Sequence, residues 1–449
     1  MTMVRSRYLL IDDRDYYSAD GQKIKLAYST SATRLFSLPS DTAERLLSGS
    51  PLDVLPDTEV QALAAAGAVV SADHDELAAV LGAYRAGSDD PAARSFAFMP
   101  TSYCNMACGY CGQEHVRGAA DRSAAEDFKD RVLAAFADPA CRKVIVGWFG
   151  GEPLMGYRTI RELSAAFCQA ARDHGKGYSA RMPTNGSLLT VRRIQELHDD
   201  CRLTWMDVTL DGPEAMHDKR RIRRSGKPTY LRIVDVLSQA VRDNVAPNMT
   251  IGIRVNVDAE NAGYVSDLIA DLACFGLGTK QVELHLMPVH SWGNDISQAE
   301  IEHRVFAENE IEWFKEAHAL GINFPGMPTA PKRSTCRATT RSSDLTDATG
   351  RTYSCSEHPL VPGARDDGVI ARIEELTSSV RRPRGMFDDW YDRIESGGQQ
   401  CASCPMLPIC GGACPKQWIE GNVPCPSIKH NWRGRLGIIA ADAGLRPAV

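Results

Sequence analysis

The sequence contains no long apolar run, and no stretch of it approaches the roughly 18 consecutive apolar residues that a membrane-spanning helix needs. Its first residues, MTMVRSRYLLIDDRDYY, are interrupted by charge and lack the apolar core of a signal peptide. An excess of positive charge is also missing, since the formal net charge is -6, so nothing points to nucleic acid as a partner. These absences argue against membrane, secreted and nucleic-acid-binding proteins, and they make the cytoplasm the expected location.

Cysteine, by contrast, is abundant, with 14 residues in a chain of 449. Disulfide-rich proteins are usually small and secreted, whereas clustered cysteines in a large chain without an export signal are more often metal ligands or catalytic groups. Three cysteines lie close to position 104, and seven follow position 335. The other four occur singly, and we interpret them as small buried apolar residues: Cys141, Cys168, Cys201 and Cys274.

The length predicts two or three domains, and the residue pattern changes along the chain in that way. Residues 1–86 mix short strand and helix patterns, which predicts a small α+β domain, and the polar segment 87–94 predicts a linker. Residues 95–320 alternate strand and helix patterns. Residues 321–449 are rich in Cys, Pro and Gly with little periodic apolar patterning, so this region is expected to depend on bound metal for stability.

The middle region contains six apolar strand patterns, each followed by a helical pattern. Strands are predicted at Phe96–Pro100, Val144–Phe149, Ser179–Met182, Thr204–Leu210, Met249–Val257 and Val282–Met287. Helices are predicted at Ala124–Ala137, Ile160–Arg172, Val191–His198, Tyr230–Arg242, Tyr264–Phe275 and Gln298–Ala319. This alternation predicts an α/β fold with a parallel sheet, and six units predict a partial (β/α)6 barrel. In such barrels the chemistry takes place at the C-terminal ends of the strands.

The first predicted strand leads into a cysteine motif of the form CxxxCxxC, at Cys104, Cys108 and Cys111. Three thiolates at this spacing can hold three irons of a [4Fe–4S] cluster and leave the fourth iron without a protein ligand. An open metal position is typical of a catalytic site rather than a structural one. The alternative is a zinc site, for which His115 is the only nearby additional ligand.

With Tyr110 before the last cysteine, this motif resembles the defining motif of the radical S-adenosylmethionine (SAM) superfamily, over about residues 95–320. The resemblance implies that the open iron binds SAM, that an electron from the cluster cleaves SAM to a 5′-deoxyadenosyl radical, and that this radical abstracts hydrogen from the substrate. The protein would then supply orientation and exclude water. A flavodoxin- or ferredoxin-type protein is the expected reductant.

Further segments resemble the family's SAM-binding motifs in the expected order. Gly150-Gly151-Glu152-Pro153 is similar to the GGEP segment, in which glycines allow close backbone approach and a carboxylate can accept bonds from the SAM ammonium. The third strand ends at Asn185, and the fourth ends in Thr209-Leu-Asp-Gly-Pro213, where Thr209 could contact the ribose. Arg254 is a further candidate, although it could equally be a solvated charge at a strand end. His217-Asp218 and Arg221 follow the family's HDxxR pattern.

The last seven cysteines resemble the SPASM domain in their spacing and in the intervening Gly350. This resemblance implies two auxiliary [4Fe–4S] clusters, three clusters in all. Auxiliary cluster I would be bound by Cys336, Cys355 and Cys414, and auxiliary cluster II by Cys401, Cys404, Cys410 and Cys425. Auxiliary cluster I would lack a fourth cysteine, and Asp344 or His358 is a candidate for its place. A zinc ribbon is the alternative, although seven cysteines fit two zinc sites poorly.

The SPASM resemblance favours a peptide maturase that oxidatively modifies, and in the leading hypothesis crosslinks, side chains of a ribosomally made precursor peptide. Residues 1–86 would then help to bind a leader peptide, or else form a structural cap. The second hypothesis is an anaerobic sulfatase-maturing enzyme. Two features argue against it: the barrel starts late in the chain, and Ser356-Glu357 follow the second SPASM cysteine where those enzymes carry Asp. A dehydrogenase of a small alcohol or sugar is a third hypothesis, and an electron-transfer or iron–sulfur scaffold protein is a fourth.

Overall fold

A computed structural model describes residues 2–379 and 381–448 of the chain. The strands, in chain order, are β1 Met3–Arg5, β2 Leu9–Tyr17, β3 Lys23–Ser29, β4 Arg34–Pro39, β5 Val69–Ser71, β6 Ala93–Phe98, β7 Lys143–Trp148, β8 Gly177–Thr184, β9 Leu203–Thr209, β10 Thr250–Val257, β11 Val282–Pro288, β12 Ser343–Thr346, β13 Arg351–Tyr353, β14 Val369–Arg372 and β15 Arg446–Pro447. The helices are α1 Ser40–Ser48, α2 Asp57–Ala65, α3 Glu76–Asp89, α4 Arg122–Ala137, α5 Tyr157–Asp173, α6 Val191–Asp199, α7 Glu214–Arg220, α8 Tyr230–Arg242, α9 Val265–Cys274, α10 His303–Ala319, α11 Trp390–Glu395, α12 Leu407–Cys410, α13 Pro415–Ile419 and α14 Ile428–Asp442.

The chain forms two compact units, and each is built from separate stretches of sequence. The first unit comprises Met1–Ser88, Gly326–Cys336 and Asp389–Val449, and the second comprises Asp89–Pro325 and Arg337–Asp388. The N-terminal region therefore belongs to the same unit as most of the cysteine-rich C-terminal region. The two units divide the chain differently from the three predicted domain ranges. Those ranges remain a prediction, and their positions 1, 380 and 449 lie outside the described residues.

The second unit contains the predicted parallel barrel sheet. Strands β6 to β11 pair in sequence order, and all of these pairs are parallel. Apolar residues fill the strands, as expected where helices cover a parallel sheet, and Val144, Val146 and Trp148 of β7 are all fully buried. The predicted α/β fold with a partial (β/α)6 arrangement is confirmed, and the six strands end on the side where the cysteine motif begins.

The sheet extends beyond the predicted barrel. Strand β12 pairs in parallel with β6, and β13 and β14 continue the sheet as antiparallel strands, giving nine strands in the order β11-β10-β9-β8-β7-β6-β12-β13-β14. The polar strand β12 is nonetheless buried, because Asp344 forms a 2.5 Å ion pair with the buried Arg131 of α4. Residues after 321 have little periodic apolar patterning, yet they form β12 to β14 and the 15-residue helix α14.

The first unit is organised around a four-stranded sheet in the order β15-β2-β3-β4. This sheet contributes Leu10, Leu26 and Tyr28 to an apolar core that also contains Met406, Trp432 and Leu436 from the C-terminal region, with Cys404 and Cys410 packed against it. Burial of this shared apolar surface stabilises both regions. The short strands β1 and β5 form a separate antiparallel pair.

Two smaller predictions change. Helix α3 continues to Asp89 and β6 begins at Ala93, so most of the predicted linker 87–94 is regular structure. Cys141, Cys168 and Cys201 are buried as expected, but Cys274, the last residue of α9, is exposed. No helix in the described part of the chain has the length and apolar character required to cross a membrane.

Candidate functional site

A cavity of about 570 Å³ in the second unit brings the predicted site residues together. This volume is typical of pockets that hold a cofactor or a small substrate. The cavity is lined by all three cysteines of the CxxxCxxC motif and by residues near the C-terminal ends of the parallel strands: Cys104, Cys108, Cys111, Gly150, Gly151, Asn185, Thr209 and Arg254. The cavity therefore lies at the edge of the sheet where the sequence predicts the chemistry.

The cysteine loop is held in place by main-chain contacts. The N–H of Met106 donates to the Cys104 sulfur at 3.5 Å, and the side chain of Arg224 donates to the Cys104 carbonyl at 3.1 Å. Thr101 donates its hydroxyl to the carbonyl of Gly118 at 2.5 Å, which joins the two ends of the loop. These bonds fix the loop that carries the three thiols.

The glycine pair after β7 allows the next loop to lie directly against the cysteine loop. A Cβ atom on Gly150, whose φ is +127°, would lie 2.3 Å from the carbonyl oxygen of Thr101. A Cβ atom on Gly151 would lie 2.6 Å from the carbonyl oxygen of Tyr103. Because such contacts are too short for any side chain, the close approach requires glycine at both positions.

Glu152 lies in the wall behind the cavity. Its side chain is fully buried and does not line the cavity, and Pro153 is also outside the cavity lining. The carboxylate accepts hydrogen bonds from the N–H of Leu154 (3.0 Å), the hydroxyl of Thr184 (2.8 Å) and the N–H of Asn185 (2.7 Å). These bonds give the carboxylate a positioning role between the ends of β7 and β8, and its contact with the SAM ammonium stays a prediction.

The side chain of Asn185 is directed to the cysteine loop. Its Nδ2 lies 3.7 Å from the Cys104 sulfur and donates a 2.9 Å hydrogen bond to Oδ1 of Asn105. A hydrogen-bond donor at a thiolate sulfur is one of the features that tune an iron–sulfur cluster. Asn185 therefore joins the end of β8 to the cysteine motif, which its position in the sequence did not reveal.

Thr209 and Arg254 lie side by side at the ends of β9 and β10. They are register partners, and both line the cavity. The Thr209 hydroxyl has no hydrogen-bond partner among residues 2–379 and 381–448, whereas Nε of Arg254 donates to Oδ1 of Asn256 at 3.0 Å. The Arg254 side chain thus has a partner in the cavity wall and is not a solvated strand-end charge.

A buried network around Tyr110 connects the cysteine loop to the end of β9. The Tyr110 hydroxyl donates a 2.6 Å hydrogen bond to Asp211 and accepts one from the guanidinium of Arg221. Arg221 also lies 3.3 Å from Asp211. Burial raises the pKa of Tyr110 well above its ordinary value, so the hydroxyl remains a donor. Burial alone would lower the pKa of Arg221, but its neighbours Tyr110, Cys108 and Asp211 raise it, so it remains charged.

The rest of the HDxxR segment has a structural role. Nδ1 of His217 lies 3.4 Å from the N–H of Asp211, and its Nε2 lies 3.1 Å from Oγ1 of Thr229. Burial lowers the pKa of His217 to about 4, so it is neutral and accepts the bond from Asp211. Asp218 accepts hydrogen bonds from the N–H groups of Thr229 and Tyr230, at the start of α8.

Several cavity residues were not singled out by the sequence. Asp207 of β9 lines the cavity, and the alternation of side chains along a strand could have identified it, since Thr209 is two residues away on the same face. His290 and Trp292, after β11, and Glu357, two residues after Cys355, also line the cavity but lie in loops. Their positions depend on the tertiary fold, and no local pattern marks them.

The donor set around the cavity fits an iron–sulfur cluster. Burial raises the pKa of Cys104 to about 11 and also raises the pKa of Cys111. Metal binding to such thiols must release protons. Among the described residues, no group of three or more His, Cys, Asp and Glu side chains is arranged to hold a single metal ion, although His115 lies 3.7 Å from Cys111. Three thiols around one cavity are a donor set that fits the three protein-bound irons of a [4Fe–4S] cluster.

Four of the C-terminal cysteines also lie around one space, within the first unit. Cys401, Cys404, Cys410 and Cys425 line the same cavity. Lys429 donates to the Cys425 sulfur at 3.2 Å, and the N–H of Gly412 donates to the Cys410 sulfur at 3.3 Å. Burial raises the pKa of Cys401 to about 12 and that of Cys410 to about 11. The structure therefore brings together the four residues that the SPASM resemblance groups.

The remaining three cysteines belong to different units. Cys336 and Cys414 are in the first unit, and Cys355, which packs with Ala338 and Phe387, is in the second. Asp344 was a candidate for the fourth ligand of this set, but its side chain is fully buried in the ion pair with Arg131. Asp344 is therefore corrected to a structural residue of β12.

Comparison with known proteins agrees with this geometry. The model of the radical SAM superfamily matches residues 98–265, which run from the end of β6 to the start of α9. A serine-type anaerobic sulfatase-maturating enzyme of Bacteroides thetaiotaomicron is 22% identical over 353 residues, covering 70% of this chain and 80% of that protein. The enzyme of the same name from Klebsiella aerogenes is 25% identical over 343 residues, covering 70% of this chain and 77% of its own.

Among solved structures, anSMEcpe with bound AdoMet and Cp18Cys peptide has a similar fold, with a TM-score of 0.56 and 15% identity over 78% of this chain and 97% of that one. The superfamily match spans the cysteine loop, the glycine pair and the ends of β8 and β9 that surround the cavity. The chain therefore contains a radical SAM domain over residues 98–265 and is an enzyme.

Proposed function

We propose that this enzyme is a peptide maturase that uses a 5′-deoxyadenosyl radical to oxidise side chains of a ribosomally made precursor peptide. The specific modification that we propose is a crosslink between side chains. The observation that carries the proposal is the cavity itself, which places three cysteines of the radical SAM motif and strand-end polar residues around a space of about 570 Å³. The peptide bound to anSMEcpe, an enzyme of the same fold, supports a polypeptide substrate.

In this proposal the catalytic [4Fe–4S] cluster is bound by Cys104, Cys108 and Cys111. When bound, the cluster and SAM supply a primary carbon radical that removes a hydrogen atom from the substrate. The chain's own residues hold and orient the cofactors: Gly150 and Gly151 allow close backbone approach, while Thr209 and Arg254 present polar groups to the cavity. Asn185 supplies a donor to the Cys104 sulfur.

Two auxiliary clusters complete the proposed set of three. Auxiliary cluster II is assigned to Cys401, Cys404, Cys410 and Cys425, which line one cavity without the arrangement of a single-ion site. Auxiliary cluster I is assigned to Cys336, Cys355 and Cys414, with its fourth ligand unassigned. Oxidation of a substrate radical releases an electron, and iron–sulfur clusters are suitable one-electron acceptors. A flavodoxin- or ferredoxin-type protein is the proposed source of the electron that starts each turnover.

A groove on the first unit is the proposed site for the leader of the precursor peptide. It has a volume of about 1050 Å³ and is lined by β1, the end of α1 and the following loop. Strand β1 pairs only with β5 within the described residues, and an extended peptide can add to such an edge. Apolar Val4 and Leu47 line the groove, and its two basic residues, Arg5 and Arg45, are balanced by Asp53 and Asp57, so the groove suits an extended leader with apolar side chains.

Sulfatase maturation is the second candidate, because the relatives of similar sequence are sulfatase-maturating enzymes. The absence of Asp directly after Cys355 argued against it, but Glu357 lines the cavity and could supply a carboxylate there. The additional N-terminal groove favours the peptide maturase, since a folding sulfatase offers no separate leader. Oxidation of a small alcohol or sugar remains the third hypothesis.

The deciding experiment is anaerobic reaction of the iron-reconstituted enzyme with SAM, a reductant and candidate substrates. Short peptides encoded beside the gene and a sulfatase-derived peptide with Cys or Ser at the modified position should be tested in parallel. We expect loss of two mass units per crosslink in the neighbouring peptide, together with 5′-deoxyadenosine. Formylglycine in the sulfatase peptide alone would support the second candidate and contradict the first.

A further inference from the structure

Three side chains on two strands form a hydrogen-bonded cluster that the proposed cofactor sites do not use. His285 of β11 places Nδ1 3.1 Å from Oδ1 of Asp207 on β9 and Nε2 2.8 Å from Oε1 of Glu283. The His285 ring is 19% exposed, and the two carboxylate side chains are 27% and 26% exposed. The cluster is therefore mostly enclosed, and Asp207 is the member that lines the cavity.

The strand between them leaves room for this cluster. Gly252 of β10 lies between β9 and β11, and a Cβ atom there would be 2.2 Å from Oδ1 of Asp207 and 3.1 Å from Nδ1 of His285. Any side chain at position 252 would thus separate the carboxylate from the imidazole. Trp205 stacks on the His285 ring, with centroids 5.2 Å apart and an angle of 10°, and fixes its orientation.

The hydrogen bonds determine the charge of the ring. Both nitrogens face carboxylate oxygens, and both can donate only when the imidazole is protonated. Burial alone would lower the pKa of His285, but the hydrogen bonds and charges of Asp207 and Glu283 raise it to about 9. On β10, Arg254 is the register partner of His285 and lies beside the cluster. One imidazolium between two carboxylates leaves one net negative charge.

Asp207 is the member of the cluster that reaches the reaction space. It lines the cavity that also contains the three cysteines and Thr209. Its Oδ1 is bound to His285, while its Oδ2 has no hydrogen-bond partner within residues 2–379 and 381–448. A carboxylate oriented through one oxygen and open at the other is suited to accept a proton or a hydrogen bond from a bound molecule.

We propose that Asp207 is the acceptor of the proton that the substrate loses during oxidation, and that His285 and Glu283 position it. This inference rests on the proposed function. When a C–H bond is cleaved homolytically, its hydrogen atom goes to the 5′-deoxyadenosyl radical. The electron that remains on carbon passes to a one-electron acceptor of the iron–sulfur class. An O–H, N–H or S–H bond of a second side chain would then break, its heteroatom would form the crosslinking bond to that carbon, and the proton would go to Oδ2 of Asp207, which becomes a carboxylic acid.

The positioning residues fix the orientation of Asp207. One nitrogen of the His285 ring bonds to Oδ1 of Asp207, and the other bonds to Glu283. A carboxylate is a sufficiently strong base for this step, because bonding to the oxidised carbon centre makes the O–H, N–H or S–H group acidic. The cluster thus combines a carboxylate acceptor that lines the cavity with a neighbouring counter-charge.

The test uses full-length reconstituted enzyme with the peptide identified by the preceding experiment. Product and 5′-deoxyadenosine are measured together for the wild type, Asp207→Asn and Gly252→Ala, with Gly263→Ala as the matched control because a Cβ there meets no atom within 4 Å. Removal of a general base usually costs about 100-fold or more. We therefore expect product per 5′-deoxyadenosine to fall about 100-fold in Asp207→Asn, while hydrogen abstraction continues and Gly263→Ala behaves as the wild type.

A second measurement follows His285 without substrate. Nitrogen-15 NMR is recorded on labelled histidines in the full chain, and the His285 signal is assigned by its loss in His285→Gln. We expect its titration midpoint near pH 9 in the wild type. In Asp207→Asn and Glu283→Gln the midpoint should fall by at least one pH unit. A wild-type midpoint below 7, or a product ratio in Asp207→Asn within twofold of the wild type, would overturn the proposal. If the wild type modifies no peptide at all, the proposed function fails. If the wild type is active and Asp207→Asn forms as much product per 5′-deoxyadenosine as the wild type does, this inference alone is refuted.

Discussion

The backbone N–H of Asn185 donates a 2.7 Å hydrogen bond to Oε2 of Glu152 and so connects the ends of two neighbouring parallel strands beneath the cysteine loop. Burial raises the pKa of Glu152, while its hydrogen bonds with Asn185, Thr184 and Leu154 oppose that rise. The GGEP segment therefore has two functions in this chain. Its glycines approach the cavity, and its carboxylate organises the wall behind them.

Replacement of Glu152 by Ala should lower stability before it affects cofactor contacts. It leaves three buried donors without an acceptor, and an unsatisfied buried donor costs about 1–3 kcal/mol. We expect a loss of at least about 3 kcal/mol in the free energy of unfolding, measured by urea denaturation. Glu162→Ala on the exposed face of α5 is the control, since its ion pair with Arg158 is at the surface. Unchanged stability with a large loss of SAM affinity would support the direct contact expected from the sequence.

The network around Tyr110 gives a second prediction. Asp211→Asn removes the charge that compensates the buried Arg221, and breaking a buried ion pair costs about 3–5 kcal/mol. Tyr110→Phe removes only hydrogen bonds and should cost about 1–2 kcal/mol. Tyr264→Phe, at a side chain that is largely exposed, should have no measurable effect on urea denaturation. Equal costs for Asp211→Asn and Tyr110→Phe would contradict the ion pair as the main stabilising element.

Iron analysis tests the assignment of the clusters. Replacing Cys104, Cys108 and Cys111 by Ala should reduce about twelve irons per chain to about eight and abolish SAM cleavage. Replacing the four cysteines of auxiliary cluster II should likewise leave about eight irons, while SAM cleavage at the first cluster continues. The control is Cys274→Ala, at an exposed cysteine outside both cavities. Reconstituted wild type that holds only zinc would contradict all three assignments.

The sequence predicted the barrel well because local periodicity and strand alternation coincide there. Helix α8 was predicted at its observed bounds, Tyr230–Arg242, and all six parallel strands were found. The pairing of β12 with β6 was not predicted, because the four residues of β12 are mostly polar and their burial depends on Arg131, more than 200 positions away in the chain. Long-range pairing of this kind leaves no periodic signal in the sequence.

The candidate site shows the same limit. Motif spacing identified the three cysteines, the glycine pair and Thr209, all of which line the cavity. It did not distinguish a carboxylate that faces a ligand from one that accepts main-chain hydrogen bonds, as Glu152 does. It also missed Asp207, because the cluster with His285 depends on Gly252 in an intervening strand.

The elevated pKa of His285 predicts a pH dependence of stability. An ordinary histidine in the unfolded chain has a pKa of about 6.5, and in the folded chain His285 reaches about 9. The stabilisation is therefore fully present below about pH 6.5 and is lost as the pH rises through about 9, with an upper limit of about 3 kcal/mol. Urea denaturation at pH 6 and pH 9.5 should show a larger decrease for the wild type than for His285→Gln. Parallel curves for the two proteins would indicate that the imidazole titrates normally.

The last prediction concerns the groove on the first unit, and deletion of the N-terminal region is the wrong way to test it. Strands β2 and β3 share an apolar core with Trp432 and Leu436, so removing them would expose the region that carries the four cysteines of auxiliary cluster II. A single change in the groove avoids this: Leu47, 47% exposed, can be replaced by Asp without opening the core.

Burial of a leucine side chain contributes about 1.5–3 kcal/mol, so Leu47→Asp should weaken binding of the leader peptide about tenfold or more. Val305→Asp on α10, at a side chain of similar exposure in the other unit, is the matched control. Fluorescence anisotropy of a labelled leader measures both, and thermal unfolding verifies that both variants are folded. Equal affinity of Leu47→Asp and wild type would show that the groove does not bind the leader, and the region would then be a structural support for the cysteines packed against it.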